Sequence, residues 1–105
     1  MSESIKGNLA QQVNYSGFEP KFSYTLKGIN SREFYEGNAA EVALHYCERH
    51  NTLLSIDEGK LYADEIFIAD LSAVYARDLV SALAVFFYIY IMSLSNEFVV
   101  KEFEA

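Results

Sequence analysis

One cysteine, one proline, two histidines and no tryptophan occur in the 105 residues, and these scarcities close off whole classes of protein. A lone Cys47 cannot form an internal disulfide, so a disulfide-built secreted scaffold is excluded and a buried thiol in a reducing compartment is expected. A zinc centre draws on about four nitrogen, sulfur or oxygen ligands that converge on one point. Here Cys47 and His50 form a C-x-x-H, and Glu41 lies four before His45, but the two histidines are five apart and face different sides of a helix. No metal or other cofactor is expected.

Recognisable chemistry is equally sparse. The chain has no G-x-S-x-G, no glycine-rich phosphate loop and no G-x-G-x-x-G. Cys47 stands two and three residues from its histidines, which does not make a nucleophile and its base. Asp64 and Glu65 are adjacent, and neighbouring residues of an extended strand point to opposite faces, so they cannot share one bond. These absences argue against an enzyme and for a binding function. Bases are few as well: 8 Lys and Arg stand against 15 Asp and Glu, a net charge of −7. Such a chain repels phosphate backbones and anionic membranes, so no direct nucleic-acid or membrane partner is expected.

What is present is hydrophobic and aromatic. Half the residues are apolar and 16 are Phe or Tyr, enough for one domain spanning 1–105. The opening MSESIKGNLAQQ has no secretory apolar stretch, so a cytoplasmic protein is expected. Residues 1–19 are polar and weakly patterned, which predicts loose order with a helical turn near Leu9. After Pro20, Phe22, Tyr24 and Leu26 alternate with polar residues, the period of a half-buried strand. A turn at 28–31 and a short return strand at 32–36 follow.

Asn38 with Glu41 three residues on matches a capping box, and Ala40, Ala43, Leu44 and Cys47 share one apolar face. The spacing predicts a helix over 39–50, stopped by Asn51. Next, 53–56 and 61–68 read as strands around an Asp57–Lys60 turn, where Gly59 supplies positive φ. From Leu79 to Asn96 no charge occurs in 18 residues. Ser81, Ser93, Ser95, Asn96 and the lack of a basic flank argue against a membrane span. A helix over 71–95, capped by Asp70 or Ser72, is expected; the alternative makes 85–92 a central strand. A C-terminal edge strand uses Phe98 and Val100, or Val99 and Phe103.

The fold class expected is therefore α+β, a small antiparallel sheet on one amphipathic helix and one longer apolar helix. The acids are uneven: 57–78 holds Asp57, Glu58, Asp64, Glu65, Asp70 and Asp78 against Lys60 and Arg77. A carboxylate row on a rigid hairpin would suit a basic protein, with fast, charge-steered association. Asp57, Glu58, Asp64, Glu65, Tyr62 and Asp70 are the expected partner-binding residues. Tyr15, Phe18, Tyr24, Phe34, Tyr35, Tyr46, Tyr62 and Tyr75 add aromatic interface candidates. The function expected is a neutralising inhibitor of a basic protein, as an immunity protein is to a nuclease-type toxin. The alternatives are a phage-type antagonist imitating nucleic-acid charge, and a homo-oligomeric subunit that hides its apolar C-terminal helix.

Overall fold

The computed structural model describes residues 2–4, 22–72 and 78–104. Two antiparallel sheets and two helices make an α+β fold, so the single sheet expected from the sequence divides in two. The first sheet contains β1 (Ser2–Ser4), β4 (Leu54–Asp57), β5 (Lys60–Ala63) and β6 (Ile66–Asp70), in that spatial order. The second places β2 (Phe22–Gly28) between β3 (Phe34–Gly37) and β7 (Phe98–Glu104). The weak pattern of the N-terminus hid β1, which pairs antiparallel with β4, Ser2 opposite Asp57 and Ser4 opposite Ser55. The helical turn expected near Leu9 lies outside the described residues.

Helix α1 runs Ala39–His50, as its caps dictate. Asn38 Oδ1 accepts from the Glu41 N–H at 2.9 Å, and the Glu41 carboxylate accepts from the Asn38 N–H at 3.1 Å. Two donors that the helix leaves orphaned are thereby satisfied. Gly37 makes the preceding turn possible: its φ is +148°, and a Cβ there would come within 3.0 Å of the Glu41 Cβ. Asn51 ends the helix in the left-handed region, φ 53°. Cys47 is buried on the inner face with Ala40, Ala43 and Leu44.

Helix α2 is shorter than the sequence suggested. It spans Leu79–Ile89, not 71–95, and Asp78 rather than Asp70 or Ser72 caps it, its Oδ1 accepting from the Ser81 N–H at 2.8 Å. Leu71 instead continues the first sheet, donating its N–H to the Gly59 carbonyl at 2.9 Å. Beyond Tyr90 the chain tightens into one 3₁₀ turn, Ile91–Ser93, where the Ser93 hydroxyl donates to the Tyr90 carbonyl. A hydroxyl that competes for a helix carbonyl explains the stop without Gly or Pro. The strand reading of 85–92 is thus replaced by helix for most of its length.

The core joins both sheets through the helices. α1 packs on β2 and β3, and α2 packs on α1 and β6. Phe86 and Phe87 are fully buried, with Phe86 stacked on Tyr90 at 5.0 Å and Phe87 against Tyr24 at 4.7 Å. From the first sheet, Leu54, Leu61 and Ala63 enter the same cluster. No helix among the described residues is long and apolar enough to cross a membrane.

Candidate functional site

The segment expected to be one strand, 61–68, is in fact a second hairpin. β5 and β6 meet at a two-residue turn in which Ala63 faces Ile66. Its central residues have positive φ, 48° at Asp64 and 69° at Glu65, and so do those of the preceding turn, Glu58 at 52° and Gly59 at 76°. Positive φ at both centres is the type I′ geometry, whose twist matches that of paired strands. The misreading has a local cause: Glu65 is not a residue that advertises left-handed backbone, whereas Gly59 is.

This second turn breaks up the expected carboxylate row. Asp57 and Glu58 lie at one end of β5, Asp64 and Glu65 at the other, roughly 13–17 Å away at the usual rise per strand residue. Nor do Asp64 and Glu65 alternate across a strand, since both sit in the turn. Asp64 is structurally committed: its Oδ1 accepts from the Leu53 N–H at 2.9 Å, and its own N–H donates to the Leu53 carbonyl at 2.9 Å. Asp70 is committed too, accepting from the N–H and hydroxyl of Ser72 at 3.1 and 2.6 Å. Glu58 and Glu65 project from the tips and make no hydrogen bond or ion pair among the described residues.

Between the two tips lies the outer face of β4–β5–β6. Register places Ser55 beside Tyr62 and Tyr62 beside Phe67, and Lys60 directly across from both Asp57 and Asp70. Tyr62 and Phe67 meet edge to face at 5.9 Å, and Phe67 is 53% exposed. Ile66, next to Glu65, is 65% exposed. An aromatic pair thus occupies the middle of the face and carboxylates both its ends. Phe67 and Ile66 were absent from the sequence-derived candidates, because a straight strand over 61–68 gives no sign of the turn that exposes both.

Several aromatics proposed for an interface belong to the core instead. Tyr24, Tyr35 and Tyr46 are buried. Burial, together with the hydrogen bond to Tyr88, pushes the Tyr24 phenol well above its ordinary range. Tyr46 is raised by burial with Tyr90 and Glu97 nearby. Phe34 is exposed as expected, while Tyr15, Phe18 and Tyr75 lie outside the described residues.

A polar cluster that no sequence spacing announced joins the loop before β3 to the end of α1. One oxygen of Glu33, Oε2, accepts from the Tyr35 hydroxyl at 2.8 Å and meets His50 Nε2 at 2.6 Å, with Arg49 Nε at 4.0 Å. His50 stacks on Tyr46 at 4.3 Å. Burial alone would raise the Glu33 carboxyl, but the hydrogen bonds from His50 and Tyr35 and the charges of His50 and Arg49 together hold it below the ordinary glutamate value. Chemically the cluster is a cross-brace, and it sets the Arg49 guanidinium and the His50 ring at the negative end of the helix dipole. No three His, Cys, Asp or Glu among the described residues converge as a metal site would require.

No family model, curated protein or solved structure matches this chain. The functional reading therefore rests on its own surfaces, of which β4–β5–β6 presents the most organised.

Proposed function

We propose that the chain is an acidic protein-binding inhibitor, a neutralising partner for a basic protein in the cytoplasm, as an immunity protein is to a nuclease-type toxin. The observation that supports this reading is the outer face of β4–β5–β6, with Tyr62 and Phe67 between two carboxylate turns. Protein interfaces concentrate binding energy in central aromatic residues and surround them with a polar rim. Residues 54–70 carry five acids and one base, so the rim suits a cationic cleft. At about 0.15 M salt the Debye length is about 8 Å, shorter than the distance between the tips, so the two acidic ends act as separate steering patches.

The test must respect the turn geometry. Lysine at Asp64 would lose the oxygen that accepts from the Leu53 N–H and perturb the hairpin, confusing folding with binding. Asn at 57, 58 and 64 with Gly at 65 removes the charges with residues that tolerate those conformations. The parent and this neutral variant are used as baits in the source cell at low and high salt, and the captured protein's activity is then assayed with each. A basic protein retained and inhibited by the parent, and released by the variant or by salt, supports the reading. Retention that neither change affects would refute it.

The oligomer alternative has its own observation: Tyr88, Ile89 and Met92 are exposed together at the end of α2. A sedimentation mass of a dimer, lost in Ile89→Asp and unchanged by salt, would favour it over the inhibitor.

A further inference from the structure

We propose that the outer face of β3–β2–β7 is a binding site for a small amphipathic anion, a carboxylate or similar head on a hydrocarbon or aromatic body. The face carries a groove of about 510 Å³, walled by Ile29, Phe34 and Val99 and bordered by Lys27, Lys101 and Thr25. That volume lies within the range of small-molecule sites, roughly 300–1,000 Å³. Register explains the arrangement. Lys27 stands opposite Phe34 on β3 and Val99 on β7, and Lys101 stands opposite Thr25, so the two lysines are diagonal neighbours across β2 and β7. Diagonal positions lie about 7–8 Å apart, close enough for both flexible ammonium groups to reach one anionic head.

Charge complementarity selects the occupant. The chain carries a net charge of −7, yet neither Lys27 nor Lys101 forms an ion pair among the described residues, Glu36 being set off beyond Thr25 on the same face, and the two repel one another beside an exposed apolar wall. An anion relieves that repulsion, and a hydrocarbon body covers Phe34, Ile29 and Val99. Gly28, at the end of the same strand, lines the groove with its backbone. A second copy of the chain joined face to face would set lysines against lysines, which disfavours it. Nucleic acid is disfavoured by the net charge of −7.

Octanoate, 1-octanol and octyltrimethylammonium serve as probes, followed through the backbone amide NMR shifts of Lys27, Phe34, Val99 and Lys101. Octanoate should shift these amides saturably and bind about tenfold tighter than octanol, the worth of two exposed charge contacts. The cation should not saturate. Lys27→Gln with Lys101→Gln should lower octanoate to the affinity of octanol. Should that variant fail to fold, raising salt from about 0.05 M to about 0.5 M must erase the octanoate advantage in the parent. Absent saturation, equal affinity for octanol, shifts centred elsewhere, or an unaltered affinity in the folded variant would overturn the site. Tighter competition by a glutamate-rich peptide would overturn it too, assigning the groove to a protein partner.

Discussion

Replacing Glu65 by glycine should make the protein more stable, although it deletes a side chain and creates no new contact. Glu65 is the second central residue of the β5–β6 turn, with φ at 69°. An L-residue in the left-handed region carries a cost of roughly 1–2 kcal/mol from the crowding of its Cβ against the carbonyl. Glycine removes that cost but gives the unfolded chain more freedom, worth about 0.5–1 kcal/mol in the other direction. The Glu65 side chain makes no hydrogen bond or ion pair among the described residues, so little else is lost. The net expectation is a gain of about 0.5–1 kcal/mol. With a urea slope of about 2 kcal/mol/M for a chain of this size, the unfolding midpoint should rise by about 0.3–0.5 M. The opposite turn supplies a control of opposite sign. Gly59 has φ at 76° and open space where a methyl would stand, so Gly59→Ala meets only the backbone cost and should lower the midpoint. A lowered midpoint in Glu65→Gly, with an unchanged slope, would refute the assignment of this turn.

The other expectations concern the helices and the brace between α1 and the second sheet. Asn38→Ala removes the capping box and should cost about 1 kcal/mol in urea melts, while coincident melts would show that the cap carries no weight. Phe86→Ala empties a fully buried site stacked on Tyr90 and should cost about 3–5 kcal/mol, enough to threaten folding; Phe86→Leu should remain folded. Because the Glu33 carboxyl is held below its ordinary value, its contribution is fully present above about pH 4.3 and is lost as pH falls through the lower folded value. Glu33→Gln should therefore reduce stability at neutral pH and flatten the acid limb of a melting series, and parallel limbs in the two proteins would contradict this.

Local chemistry makes α1 legible in the sequence. Asn38, Glu41, Asn51 and the apolar spacing between them are interactions within one helix, which sequence order alone brings together. The same holds for β2, whose alternation reflects one covered face, for the Glu58–Gly59 turn, and for burial of Cys47. The α+β class follows from those signals. Reading failed where the decisive partner was remote or the signal residue atypical. Asp64 and Glu65 form a turn only because β6 folds back on β5, and that return splits the acids between two ends and exposes Phe67 and Ile66. α2 begins at Leu79 under the Asp78 cap, while the carboxylate of Asp70, at the sheet edge, is turned onto Ser72. Likewise Glu33 finds His50, 17 residues away, and Lys27 finds Lys101 across two strands, neither separation having a period. Order along the chain determines what neighbouring residues can do to one another. Which face of each strand meets solvent, and which distant charges share it, depends on how the apolar surfaces close over one core, and only the tertiary fold decides that.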